Sequence, residues 1–147
     1  MRRLAGGLLL GLLTACAPAV TPRSNLAAQA TVQGRQLTVS LVNLGPYDVL
    51  LEDRCPRPFT AGYTLLPAAT GRSVTNEDQP CLTAPALPQR LRPGERVSAA
   101  LTLDLPAGTY TLQAWARPKV RLVEKGKPAD AVRTLNVATS ALTLTLP

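Results

Sequence analysis

The feature that most constrains this chain is an alternation of apolar and polar residues with period two. Leu37, Val39 and Leu41 alternate with Thr38, Ser40 and Val42. Val97, Ala99, Leu101 and Leu103 alternate with Ser98, Ala100, Thr102 and Asp104. Tyr110, Leu112 and Ala114 alternate with Thr109, Thr111, Gln113 and Trp115, and Leu142, Leu144 and Leu146 with Thr143 and Thr145. Successive side chains of a strand point to opposite faces, so these are strands with one buried face. Turn formers separate them: Gly34-Arg35, Gly45-Pro46, the Pro67–Gly71 run, Arg92-Pro93-Gly94, Pro106-Ala107-Gly108 and Gly126-Lys127-Pro128. Only Ala27–Ala30 has helix propensity, and it runs straight into Thr31 and Val32.

The pattern predicts an all-β domain of about seven or eight antiparallel strands, at 27–33, 36–43, 47–52, 61–66, 96–104, 108–117, 131–137 and 141–146. Segments 81–91 and 119–124 are candidates for short edge pairings. Strands at this spacing in one small domain predict a β-sandwich, and the lack of a fixed-period repeat argues against a solenoid or propeller. The connection Asp104-Leu-Pro-Ala-Gly-Thr-Tyr110 joins two alternating strands. A tyrosine there fits a tyrosine corner, its hydroxyl bonding back to the connecting backbone, and points to an immunoglobulin-like topology.

Composition narrows the function. The 147 residues carry a net charge of +7 and no histidine, which removes imidazole bases, histidine triads and histidine metal ligands. The aromatics Tyr47, Phe59, Tyr63, Tyr110 and Trp115 are scattered, unlike a stacking platform for single strands. With no recognition helix in the pattern, nucleic acid is not an expected partner.

The N-terminus reads Met1-Arg2-Arg3, an apolar run Leu4–Ala15, then Cys16. A charged start before a short apolar run is the pattern of an export signal. Twelve residues fall short of the ~20 that span a bilayer as a helix. Leu13-Thr14-Ala15-Cys16 resembles the lipobox of bacterial lipoproteins. The resemblance implies a signal peptide over 1–15, cleavage before Cys16, and acylation of that cysteine. Acylated Cys16 would then tether the domain to membrane lipid, because two or more acyl chains give stable attachment. Ala17, in place of an aspartate, implies the outer membrane where one exists; otherwise the anchor sits in the cell membrane. Segment 16–26, with its prolines and small residues, reads as a flexible tether, and 27–147 as the domain. The mature chain, without Arg2 and Arg3, keeps fourteen basic residues against nine acidic, a net +5.

Lipidation of Cys16 leaves Cys55 and Cys81, which an oxidising compartment would join as a disulfide. Closing a loop of that size contributes ~3.5 kcal/mol in the chain-entropy model. The alternative is two buried thiols. Two cysteines without histidine do not complete a zinc shell, and the spacing is not that of a Cys-x-x-Cys redox pair.

Leu91-Arg92-Pro93-Gly94-Glu95, the strand from Val97 to Leu105 and Pro106-Ala-Gly-Thr-Tyr110-Thr-Leu112, preceded by Val42-Asn43, resemble the bacterial intracellular proteinase inhibitor family. The resemblance runs from about Leu37 to Ala116. It implies an immunoglobulin-like sandwich and, as an alternative function, inhibition of a protease in the cell envelope. The export signal and the cysteine pair set this chain apart from that cytoplasmic family.

No cofactor or metal site is expected. Ser24, Ser40, Ser73, Ser98 and Ser140 lie in turn or strand contexts without a nucleophile elbow, and no motif supports a serine–lysine dyad. Glu52-Asp53 and Glu77-Asp78 read as solvated loop charge. Six basic residues, Arg117, Lys119, Arg121, Lys125, Lys127 and Arg133, fall within seventeen positions. They read first as charge guarding a sheet edge, and second as a basic patch for lipid headgroups, cell-wall polymer or an acidic partner. The long loop 53–95, with Phe59 and Tyr63, is the expected contact surface. The reading is a non-enzymatic binding or envelope-assembly module, its partner an envelope protein or polymer.

Overall fold

The computed structural model describes residues 25–53, 57–69, 71–77, 88–129 and 131–147. The expected leader, most of the expected tether, and Cys16, Cys55 and Cys81 lie outside the described residues, and so do the lipidation and disulfide expected of those cysteines. No described helix is long and apolar enough to cross a membrane.

The described chain is all-β. Its strands are β1 (Leu26–Gln33), β2 (Gln36–Asn43), β3 (Asp48–Leu51), β4 (Thr60–Leu65), β5 (Ser73–Thr75), β6 (Gln89–Leu91), β7 (Arg96–Thr102), β8 (Gly108–Arg117), β9 (Lys119–Glu124), β10 (Lys127–Pro128), β11 (Arg133–Thr134) and β12 (Val137–Leu146). Every pairing is antiparallel. One sheet has the order β1-β2-β7 and a second β12-β8-β4-β5. These are the A-B-E and G-F-C-C′ orders of an immunoglobulin-like sandwich. A third sheet, β10-β9-β3-β6 with β11 also on β9, is built from the stretches that follow β2 and β8 and precede β7.

The count exceeds the expected seven or eight because β5, β6, β10 and β11 are strands of only two or three residues, and because β6 and β9 form within segments 81–91 and 119–124, the candidates for edge pairing. Segment 131–137 is not a single strand. Arg133–Thr134 pairs with β9, while Val137 already belongs to β12, which runs on through an irregularity between Ala138 and Ala141. Thr139 holds that irregularity: its hydroxyl bonds the Ala114 backbone, and its carbonyl accepts from Gln113 Nε2 at 2.8 Å.

The main core lies between the first two sheets. Leu37, Val39 and Leu41 from β2 meet Leu112, Ala114 and Ala116 from β8, with Ala99, Leu101 and Leu103 beside them. Outer faces are hydroxyl-rich: Ser40 meets Ser98 at 2.8 Å, Thr109 meets Thr145 at 3.1 Å and Thr111 meets Thr143 at 3.2 Å. Gly62 is required by packing, since a Cβ there would stand 2.3 Å from the Trp115 ring and 2.4 Å from the Val74 carbonyl. A second, smaller cluster forms under the third sheet from Val49, Leu51 and Val120.

Two corrections concern the expected contact loop. Residues 53–95 are not one loop, because β4, β5 and β6 lie within them. Phe59 and Tyr63 are not a contact surface. Both are buried in the main core, and with Ala61 they form an inward-facing alternation along β4. The cost of leaving two large aromatic surfaces in water drives them inside.

Candidate functional site

The third sheet ends in a polar cleft of about 620 Å³. Among the described residues it is lined by Glu52, Asp53, Arg57, Thr60, Glu77, Lys119, Arg121 and Val132. Its walls are set by backbone pairing. Leu51 pairs with Val120, and the Glu52 amide donates to the Lys119 carbonyl at 2.8 Å, which brings the end of β3 beside the start of β9. Asn76 fixes the opposite wall. Its Oδ1 accepts from the Ala61 amide at 2.9 Å, and its Nδ2 donates to the Phe59 carbonyl at 3.2 Å.

Charge in the cleft is internally matched. Arg121 Nε lies 3.0 Å from Glu52 Oε1, and Arg57 Nε lies 3.8 Å from Asp53 Oδ2. The second pair is the more buried, with side-chain exposures of 12% and 7%. Arg57 also donates through NH1 to the Asn76 carbonyl at 3.0 Å. The Nε atoms of Arg57 and Arg121 are buried and make no aligned hydrogen bond. Glu52 and Asp53 are therefore not solvated loop charge, because each is drawn to an arginine. Glu77 lines the cleft, and Asp78 lies outside the described residues. Among the described residues no group of three or more His, Cys, Asp or Glu could hold a metal ion.

The six basic residues do not make one patch. Arg117 sits over the Trp115 ring at 4.6 Å from its centroid, a cation–π contact. Lys119 and Arg121 face the cleft. Arg133 pairs with Val120 in the ladder, which places it on the other face of the sheet from Lys119 and Arg121. Lys125 and Lys127 lie at the far end of β9, where Lys125 (φ 50°) and Gly126 (φ 76°) form the turn into β10. Both central residues have positive φ, as a tight two-residue hairpin requires. Alternation along β9 and its length thus scatter charges that are contiguous in sequence.

Tyr110 is the third residue of β8, and its hydroxyl donates to the Pro106 carbonyl at 2.9 Å. Burial pushes the Tyr63 phenol above its ordinary 10.0, with Arg72 opposing and Asp104 adding to the rise.

One organising residue, Asn43, carries no charge. It is buried at the end of β2. Its Nδ2 donates to the Tyr47 carbonyl at 2.8 Å and the Leu91 carbonyl at 2.9 Å, and its Oδ1 accepts from the Gly45 amide at 2.9 Å. The Gly94 amide bonds its backbone carbonyl. Asn43 thereby joins the two turns 44–47 and 92–95. Two features of the sequence point to it: the Val42-Asn43 pair that enters the family resemblance, and the Asn-Leu-Gly-Pro spacing, which favours an Asx turn.

No family model matches the chain, and no curated protein matches it. Among solved structures the chain is similar to the X-ray structure of Northeast Structural Genomics Consortium target SoR45, with a TM-score of 0.38 and 14% identity, covering 85% of this chain and 86% of that one. The architecture described above rests on the chain's own strand order.

Proposed function

We propose that this chain is a lipid-anchored, extracytoplasmic binding or envelope-assembly module without enzymatic activity. The observation that carries this reading is Leu13-Thr14-Ala15-Cys16 behind Arg2-Arg3 and a twelve-residue apolar run. Acylated Cys16 would attach the domain to a membrane facing the periplasm or exterior. The sandwich supplies a rigid scaffold, and the cleft at Glu52, Asp53, Arg57 and Arg121 supplies polar groups held in place by ion pairs. Groups oriented in advance lose less freedom when a partner binds. An envelope protein or polymer with both charged and hydrogen-bonding groups fits that lining. Phe59 and Tyr63, the expected contact residues, lie in the core and serve neither this reading nor the protease-inhibitor alternative.

The test is expression of the full chain beside Cys16→Ser in a bacterial host, with fractionation and intact mass. The parent is expected in the membrane with a diacylglycerol-sized mass gain and without residues 1–15, and Cys16→Ser without either change. Identical masses with Arg2 retained in both would overturn the anchor.

A further inference from the structure

We infer that the end of the sandwich around Leu44 and Tyr47 rests against an anionic lipid surface; this deepens the anchored reading above and rests on it. Three large hydrophobic side chains are exposed among the described residues, and two of them, Leu44 (59%) and Tyr47 (38%), lie in the same four-residue turn. The turn is held firmly. Asn43 bonds Gly45 and Tyr47 within it, and Gly45 (φ 85°) lies against Pro93, so that a Cβ there would stand 3.3 Å from the proline ring. Leu44 and Tyr47 are thus presented on a rigid support, not left over from a mobile segment.

The same turn marks where the anchor enters. The Leu44 amide donates to the Asn25 carbonyl at 2.8 Å, and Asn25 immediately precedes β1. Cys16 stands nine positions before Asn25, a stretch that reaches about 30 Å at full extension. A domain of this size is about 35 Å across. An acyl group on Cys16 would therefore hold the Asn25 end within that reach of the bilayer, a distance shorter than the domain is wide.

Charge at this end suits the same surface. Asp48 pairs with Val123 across β3 and β9, so the Lys125-Gly126 turn and Lys127 stand just beyond Tyr47. Arg92 lies in the neighbouring 92–95 turn, exposed like both lysines. The carboxylates here are Asp48, Glu95 and Glu124; Asp48 Oδ2 lies 3.3 Å from Arg90 NH1, and Glu95 Oε2 accepts from the Arg92 amide at 2.7 Å, which leaves Lys125, Lys127 and Arg92 facing Glu124. A tyrosine and a leucine at headgroup depth, with cations beside them, match the chemistry of the membrane interface.

The experiment uses the full chain, processed by its bacterial host and reconstituted in vesicles of phosphatidylglycerol and brominated phosphatidylcholine. Tyr47→Trp places a quenchable fluorophore at the proposed contact. Ala107→Trp places one at the opposite end of the sandwich, beside Arg35 and Leu105. The expected result is strong bromine quenching of the Tyr47→Trp protein and none for Ala107→Trp beyond that of the parent, whose fluorophore is Trp115. Adding Lys125→Glu and Lys127→Glu is expected to cut the quenching by about half or more, since cations near the surface draw the domain to anionic lipid.

Equal quenching at both positions, or none at either, in protein that carries lipid on Cys16 overturns the surface and leaves the anchor standing. A dimer in vesicles that shields Tyr47→Trp from bromine also overturns it, in favour of a second copy on this face. If intact mass shows no lipid on Cys16, the anchored reading fails. Quenching of that unlipidated protein by added vesicles would then still support the surface, and its absence would remove both.

Discussion

The two-sheet sandwich and the third sheet are built on different terms. The sandwich takes its strands from long alternating runs and buries a continuous core in which Phe59, Tyr63, Leu37 and Leu112 are fully enclosed. The third sheet is made of short strands over a cluster of three buried residues, Val49, Leu51 and Val120. It compensates with ion pairs, Arg121 with Glu52 and Arg57 with Asp53. Apolar burial scales with area and is indifferent to partner identity, whereas an ion pair depends on geometry and solvent. Stability should therefore reside in the sandwich, and chemical variation is tolerated where the polar cleft lies.

Substitutions can break this comparison, the largest effect first. Phe59→Ala should cost about 3–5 kcal/mol in denaturant unfolding, the range for a buried aromatic. Val49→Ala, in the small cluster, should cost less, about 1–3 kcal/mol. Equal costs would mean that the third sheet is as tightly packed as the sandwich. Asp53→Ala removes the counter-charge of the largely buried Arg57, which keeps its bond to the Asn76 carbonyl, and should cost about 2 kcal/mol or more. Glu52→Ala, beside the more exposed Arg121, should cost no more than about 1 kcal/mol. A larger loss for Glu52 than for Asp53 would reverse the order that burial imposes.

Tyr110→Phe removes the hydroxyl bond to Pro106 and should cost about 1 kcal/mol, with the sandwich otherwise intact. The smallest effect is in alkali. The Tyr63 phenol titrates above 10.0 in the folded chain, so the unfolded chain loses its proton first as pH rises. The stability this group contributes is full below about pH 10 and is lost as pH climbs through the folded value. Tyr63→Phe should flatten that alkaline decline in a urea-midpoint series; an unchanged slope would show that Tyr63 does not titrate apart from bulk tyrosine.

Much of the sandwich was legible because each strand announces itself locally. Leu37-Val39-Leu41 and Leu112-Ala114 alternate over enough residues to mark both element and buried face. Phe59 and Tyr63 were misread because Pro56, Pro58, Pro67 and Gly71 surround them, and turn formers outweighed the short 59–61–63 alternation. The cleft was illegible for another reason. Glu52 meets Arg121 and Arg57 meets Asn76 across long separations in sequence, and nothing local to either partner specifies the other. The basic run 117–133 shows the converse, since sequence proximity joined residues that alternation and strand length then drove apart.

The sequence by itself determined the class of fold and the tyrosine that closes the Pro106–Tyr110 connection, because period and turn chemistry act within a few residues. The tertiary structure alone decided that the stretches after β2 and β8 form a third sheet, that arginines quench the Glu52-Asp53 pair, and that Leu44 and Tyr47 stand exposed beside the entry of the chain. Those outcomes depend on which strands become neighbours, and that choice belongs to the packing of the whole domain.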